Sequence, residues 1–285
     1  MNHQETRNVL IDKIIKTYEL NAKDIADVVE LYYDAQELRI KHANRERAEG
    51  PGELVSWIAY WLELGEKVVT SKLKNWIEST QSPAEAKWAY DQIGIGPIIA
   101  AGLSAHIDVA KADSISAVWK FAGQAPGFDR RTKSIKLPYN ARLKVLCWKM
   151  GESFVKVSGK EDATYGQLYS QFKTEEIRRN EAGLYTPAAA HELTSKKFKA
   201  DDSVTKKRLL AGMLSDAHLH ARAKRRVCKI FLAHFWTIGR QARGLTIREP
   251  YAIAILGHDG KIQATVCEKN QNKGASQIDR ETQNG

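Results

Sequence analysis

The spacing of apolar residues predicts helices along most of the chain. Ile11, Ile14 and Tyr18 recur at intervals of three and four residues, which is the repeat of a helix with one buried face. Asn21 followed by Asp24 resembles a cap that starts a second helix, which continues to about residue 48. The chain breaks at Gly50-Pro51-Gly52, and a third helix runs from about Glu53 to Glu78. These first 80 residues lack the alternation of a half-buried strand, so we expect a helical arm that dimerises or binds a partner. The alternative is a small helical domain that packs on the rest of the chain.

A glycine-containing turn between two helices follows the arm. Ser82-Pro83-Ala84-Glu85 predicts a helix start, with serine as the cap, proline in the first position and glutamate bonding back to the cap. This helix runs to Gln92, and a second apolar helix runs from Pro97 to about Ile107. Between them lies Ile93-Gly94-Ile95-Gly96, so we expect a helix-hairpin-helix.

The rest of the chain predicts more helices, with one exception near the C-terminus. Two segments, Gly123–Pro138 and Tyr185–Asp202, are predicted as loops, and the sequence His258-Asp259-Gly260 predicts a small β-hairpin within the last 35 residues. The remaining predicted helices are Ser114–Phe121, Asn140–Met150, Thr164–Asn180, Val204–Met213 and Asp216–Ile238. We therefore expect a mainly α protein in four segments: 1–80, 81–158, 159–250 and 251–285.

Positive charge is concentrated in two blocks. The net charge is +10, yet residues 1–80 hold 11 basic and 14 acidic side chains. By contrast, residues 120–149 hold 8 basic residues and one acidic residue, and residues 206–243 hold 10 basic residues and one acidic residue. Concentrated positive charge favours a polyanionic partner, of which DNA and RNA are the most common.

The cysteines and the N-terminus indicate a cytoplasmic protein. Cys147, Cys228 and Cys267 are far apart and odd in number, which argues against a disulfide framework and against a zinc ribbon. The polar start of the chain has no signal-peptide core, and the longest weakly polar run, Ile93–Ile107, is too short and glycine-rich to cross a bilayer. We therefore expect no membrane partner.

The glycine turn is the first candidate site. Gly94 and Gly96 leave no side chain in the way of a phosphate approaching the amides at the start of the second helix, where the helix dipole favours an anion. Ile93 and Ile95 would fix the turn to the core. The alternative is a tight turn whose glycines only allow two helices to pack closely.

Two basic segments are the other candidates. The predicted loop 123–138 contains a run of basic and hydroxyl side chains that could follow a phosphate backbone, although most such runs are merely solvated. The last predicted helix has a basic stripe at positions i, i+3, i+4 and i+7, above a buried apolar face; the alternative is that its arginines pair with acidic residues elsewhere in the chain. The side chains are Arg130, Arg131, Lys133 and Lys136 in the loop, and Arg222, Arg225, Arg226 and Lys229 in the helix.

The sequence predicts neither a metal site nor a cofactor site. His218 and His220 cannot share one helical face, and no paired His or Cys spacing typical of zinc occurs. The glycine-rich motifs that bind nucleotides are absent as well. We expect structural or nucleic-acid-contacting histidines.

The order of several short motifs resembles a transposase family. Ile93-Gly94-Ile95-Gly96-Pro97, Ala122-Gly123-Gln124-Ala125-Pro126, the basic loop and Asn140-Ala141-Arg142-Leu143-Lys144 are similar to the C-terminal half of the DEDD-type, Piv-related insertion-sequence transposases. The similarity covers about residues 83–150. It implies DNA handling in a prokaryotic mobile element or phage, adds Arg142 to the expected contacts, and allows RNA as a second partner.

The resemblance is incomplete in the residues that perform the family's chemistry. The RuvC-like domain with its acidic tetrad has no counterpart in the sequence. The family's C-terminal half supplies a serine nucleophile, and Ser134 is the nearest candidate here, in surroundings that do not match. We therefore expect a nucleic-acid-binding protein without complete catalytic machinery. The alternatives are a recombinase that uses Ser134 with acidic residues from a partner, and an interaction protein that forms a homodimer through its N-terminal helices.

Overall fold

The computed structural model describes residues 3–50, 52–125, 137–195, 198 and 203–248. Within these ranges the chain forms eleven α-helices and no strand, which confirms the mainly α fold class. The predicted β-hairpin around Asp259-Gly260 lies outside the described residues, as does the tail.

The helices follow one another along the chain, with a 3-10 turn at Ala22–Asp24 before the second of them. They are α1 (His3–Thr17), α2 (Ile25–Glu49), α3 (Glu53–Glu78), α4 (Ala84–Asp91), α5 (Pro97–His106), α6 (Ile115–Phe121), α7 (Ala141–Lys156), α8 (Thr164–Glu181), α9 (Thr186–Ser195), α10 (Val204–Leu210) and α11 (Asp216–Ala242).

The prediction of a loop at Tyr185–Asp202 was wrong, because α9 occupies its first half. Pro187 stands in the first turn of α9, where the proline ring suits the helix and its missing N–H costs nothing. Three alanines follow, and alanine is the best helix former. Ala189 and Glu192 are buried, so this short helix has a packed face.

The structure divides into two compact units. The first unit comprises Met1–Asp91, Ile95–Asp113 and Phe235–Ile247. Its long helices α2 and α3 pack against each other, and α5 packs against both. The guanidinium of Arg39 on α2 donates two hydrogen bonds to the Glu66 carboxylate on α3, at 2.5 and 2.9 Å. This bidentate pair fixes the register of the two helices beside their apolar contacts.

Buried arginine and glutamate side chains complete the first unit. Arg243 donates two hydrogen bonds of 2.9 Å to the carboxylate of Glu85, which is 2% exposed. Arg240 donates to the backbone carbonyls of Val109 and Ala112, at 2.9 and 3.0 Å. Glu85 is therefore a partner of Arg243 rather than the capping residue that the sequence predicts for α4.

The described part of the second unit comprises residues 92–94, 114–125, 137–195, 198, 203–234 and Arg248. Its core is an aromatic cluster from α7, α8 and α11. The Tyr165 ring stacks on Phe154 at 5.2 Å between centroids and meets Phe231 edge-on at 4.8 Å. The Tyr165 hydroxyl is 2.6 Å from Nδ1 of His234, so the one polar group of the cluster has a partner.

Glycine substitutions at two helical positions should change stability in opposite directions. A Cβ added at Gly166 on α8 would lie 2.7 Å from the Val157 carbonyl oxygen, and backbone cannot move aside cheaply. We expect Gly166→Ala to lower the free energy of unfolding by about 1–3 kcal/mol. Gly65 on α3 has no atom within 4 Å of an added Cβ, so Gly65→Ala should raise it by about 0.5–1 kcal/mol.

Urea denaturation of both variants beside the wild type measures these changes. A Gly166→Ala protein as stable as the wild type would show that the contact between α8 and the end of α7 is loose.

None of the helices in the described ranges combines the length and apolar character that a bilayer crossing requires.

Candidate nucleic-acid interface

The glycine turn lies between α4 and α5, as the sequence predicts. α4 begins at Ala84, and the Pro83 carbonyl accepts hydrogen bonds from the amides of Ala86 and Lys87. The hydroxyl of Ser82 makes no hydrogen bond in the described part of the chain, so it does not cap the helix. The helix start is therefore set by the proline and by packing rather than by a capping box.

The two glycines of the turn have different roles. Gly94 has φ +95°, a left-handed conformation that side chains oppose, and a Cβ there would lie 3.0 Å from Val157 Cγ2. Its carbonyl oxygen accepts a hydrogen bond from the Ser153 hydroxyl. Gly96 has φ −93° and ψ 172°, and an added Cβ would meet nothing within 4 Å. Gly94 therefore maintains the turn, whereas Gly96 leaves open space.

The residues of the turn differ in how far they are exposed. Gly96 is the N-cap residue of α5, and Pro97 is in the first turn. Ile95 is 3% exposed, as expected of a residue that fixes the turn to the core, while Ile93 is only partly buried. Because this exposure counts main chain and side chain together, Ile95 offers a ligand little surface of either kind.

The four basic residues of α11 separate into two pairs. Arg222 Nε donates to Oε2 of Glu176 at 2.6 Å, and Arg226 donates to Glu175 at 2.7 Å and to Glu176 at 3.2 Å. The side chain of Glu176 is 1% exposed and also accepts from the Tyr185 hydroxyl at 2.7 Å. Burial would raise the pKa of Glu176, but the hydrogen bonds from Arg222 and Tyr185 and the two guanidinium charges lower it overall. The charges of Arg222 and Arg226 are thus largely neutralised within the fold.

Lys229 and Arg225 have different surroundings. Lys229 Nζ lies 4.1 Å from the centre of the Trp119 ring, and the Trp119 indole N–H donates to the Lys229 carbonyl at 3.0 Å. Burial and the neighbouring charge of Arg225 both lower the pKa of Lys229. Arg225 itself is exposed. An aromatic ring holds a cation without cancelling its charge, so the positive charges of Lys229 and Arg225 remain.

The outer face of α7 continues the cationic and aromatic surface. Asn140 caps the helix by accepting a 3.0 Å hydrogen bond from the amide of Leu143. Arg142 and Lys144 are exposed in the first turns, and Lys144 Nζ lies 4.2 Å from the centre of the Tyr139 ring. Trp148, one turn after Lys144, is 59% exposed.

Trp148 is a feature of this surface that the predicted site lacks. The buried positions of α7 include Leu143, Met150 and Phe154, which define its apolar face. Trp148 lies off that face, and a large ring outside the buried register of a helix was the signal that could have identified it.

Several predicted contacts have no described position. Arg130, Arg131, Lys133, Ser134 and Lys136 lie outside the described residues. The loop-borne half of the predicted site therefore stays a prediction.

Three histidines in the second unit form side-chain hydrogen bonds. Nδ1 of His218 is 2.7 Å from the Glu192 carboxylate, and Nδ1 of His220 is 2.6 Å from the Tyr169 hydroxyl. With His234 bonded to Tyr165, these rings join α11 to neighbouring helices. The described residues include no group of three side chains suited to holding a metal ion.

No protein-family model, curated protein or solved structure matches this chain.

Proposed function

We propose that this protein binds nucleic acid, DNA first and RNA as a second partner, by contacting the phosphate backbone. The proposal depends most on the surface of the second unit where Lys144 and Lys229 lie over aromatic rings beside the exposed Arg225. The carboxylates of the unit neutralise Arg222 and Arg226 instead. Cations held by rings keep their charge for a polyanion.

The glycine turn supports a second phosphate contact within the proposal. Its helix α5 begins with a glycine that has open space where a side chain would be, and the helix dipole there favours an anion. Contacts of this kind position a protein on the backbone and carry no sequence information. We expect binding that is largely independent of base sequence.

The proposal extends to the setting and to the remaining predicted contacts. The resemblance to Piv-related transposases supports a mobile-element or phage setting and a role for Arg142 and the basic loop at 128–136. A cytoplasmic location agrees with this partner and with Cys147 and Cys228 being free thiols. The proposed protein does not itself break or join strands.

A protein-interaction role is the second candidate, and one surface favours it. Leu54, Trp57, Ile58 and Trp61 on α3 are each between 42% and 68% exposed. Their spacing places them on one helical face, as in a helix that packs against another helix. A homodimer through the N-terminal helices is the version of this candidate that we propose, and sedimentation of the full chain at several concentrations tests it.

Two substitutions at Gly96 test the glycine turn. Asp and Asn are both good N-cap residues, and the backbone angles of Gly96 suit them, so both variants should fold as stably as the wild type. Asp also places a negative charge where we expect a phosphate. We expect Gly96→Asp to weaken binding of a duplex about tenfold at low salt, and Gly96→Asn to weaken it much less.

Fluorescence anisotropy with a labelled duplex measures both affinities, and thermal melts check folding. Equal affinities for the Asp and Asn variants would remove the turn from the proposed interface.

A further inference from the structure

The second unit contains a pocket of about 320 Å³ between α7, α11 and residues 123–125. Trp148 forms one wall, and Lys144, Lys224 and Arg225 provide positive charge. The small residues Gly151 and Ala221 also line the pocket. The pocket is therefore bounded by an aromatic face and by cations.

The charges around the pocket are arranged in two ways. Lys224 forms an ion pair with Glu152, and its Nζ is 5.7 Å from the centre of the Trp148 ring. Lys144 lies over the Tyr139 ring, and Arg225 is exposed. Lys224 thus helps to hold the indole in place, while Lys144 and Arg225 add positive charge around the pocket.

The size and chemistry of the pocket restrict its ligand. Its volume is at the small end of the range for ligand sites, about 300–1,000 Å³, which suits one planar ring with its sugar rather than several units. An exposed indole stacks on flat π-systems, and Gln124 contributes a side-chain amide able to bond the edge of such a ring. Neighbouring cations favour a ligand attached to phosphates.

We propose that this pocket holds one unpaired nucleobase, stacked on Trp148, with the adjoining phosphates on Lys144 and Arg225. The inference rests on the proposed function and adds a preference for single strands. A base within a duplex has both faces covered by its neighbours, so only an unpaired base presents a face to the indole. Both DNA and RNA contain such bases, and the test separates them.

The test compares three oligonucleotides and three variants of the full chain. The ligands are a DNA single strand of about 12 nucleotides containing 2-aminopurine, the RNA of the same sequence, and the matching DNA duplex. The variants are Trp148→Ala, Trp148→Phe and Tyr18→Ala. Tyr18 is 66% exposed in the first unit and Trp148 is 59% exposed, so Tyr18→Ala controls for the loss of an exposed aromatic ring.

We expect Trp148→Ala to bind at least one of the single strands about 5- to 100-fold more weakly than the wild type. The affinity of Trp148→Ala for the duplex should fall less than about twofold. Trp148→Phe should keep most of the affinity for the single strands, and Tyr18→Ala should keep all of it. Binding to the wild type should quench 2-aminopurine fluorescence, and Trp148→Ala should abolish the quenching. Loss with DNA, RNA or both supports the pocket and identifies the sugar that it accepts.

The two proposals fail in distinguishable ways. If no oligonucleotide binds at low salt, the proposed function fails. Binding through phosphates should weaken as salt rises. If the oligonucleotides bind in this way but Trp148→Ala binds both single strands as tightly as the wild type, the pocket is not a base site and the proposed function stands. Because Trp148 is mostly exposed, its variants should fold, and thermal melts confirm this.

Discussion

We expect the affinity for a DNA duplex to fall about 150-fold when salt rises from about 50 to 200 mM. Each phosphate neutralised by a cation releases counterions, so the logarithm of affinity falls with the logarithm of salt at a slope of about −0.9 per phosphate. Arg142, Lys144, Arg225 and Lys229 provide about four such contacts, and a fourfold rise in salt then gives this factor. Contacts from residues 128–136 would make the slope steeper.

A double variant identifies which cations produce the slope. Lys144→Gln with Arg225→Gln removes two charges and should reduce the slope by about 1.8. Lys23→Gln with Lys41→Gln removes the same charge from exposed positions of the first unit and should leave the slope nearly unchanged. The interface that we propose in the second unit would be excluded if the two double variants had equal slopes.

The largest loss of stability should follow from the substitution Glu176→Gln. Its nearly inaccessible carboxylate bonds two arginines and the Tyr185 hydroxyl. Glu176→Gln keeps the volume but leaves the guanidinium of Arg222 without its carboxylate partner and leaves Arg226 with Glu175 alone. We expect the free energy of unfolding to fall by about 3 kcal/mol, which is the lower end of the range for removing one partner of a buried ion pair. The lower end applies because both guanidinium groups still contact solvent.

The effect of Glu176→Gln should depend on pH in one direction. The folded state holds the pKa of Glu176 below its usual value of 4.5, so the carboxylate contributes its stability above that pH. As pH falls through the lowered pKa, the wild type loses this contribution, and the difference between wild type and variant should shrink. Guanidinium chloride denaturation between about pH 7 and pH 3 measures the difference.

Glu175→Gln is the matched control. Glu175 is adjacent in sequence and pairs with Arg179 and Arg226, but its side chain is 29% exposed. We expect a loss below about 1 kcal/mol, with little change in its pH dependence. Equal losses for the two variants would show that burial of Glu176 adds nothing to its ion pairs.

The helices were predictable from sequence because local signals agreed with packing. The apolar period and the breaks at Gly50-Pro51-Gly52 and Gly94–Gly96 place α3, α4 and α5 close to their observed bounds. The predicted helix ends at Met150, before Gly151, whereas α7 continues to Lys156. Gly151 lies within this helix and packs closely on α11, since an added Cβ would lie 3.2 Å from Cys228 Sγ. Such a close contact depends on a partner distant in sequence.

Side-chain partners in the candidate site were less predictable. Helical spacing places Arg222, Arg225, Arg226 and Lys229 on one face, but it cannot show that two of them meet Glu176, about 50 positions earlier. The same limit applies to Glu85, which the sequence assigns to a cap and the structure to Arg243. Pairing across the chain is a property of tertiary packing, which local patterns do not encode.

The two thiols beside the pocket make local opening measurable. Burial raises the pKa of both Cys147 and Cys228, the latter to about 12, and the Cys228 thiol donates to the Cys147 carbonyl. The thiolate is the nucleophile that attacks an alkylating reagent, so the folded state protects these sulfurs in two ways: they are buried, and they stay protonated. The rate at which Cys147 and Cys228 are modified therefore measures how often α7 and α11 separate locally. A ligand bound in the pocket would slow this modification.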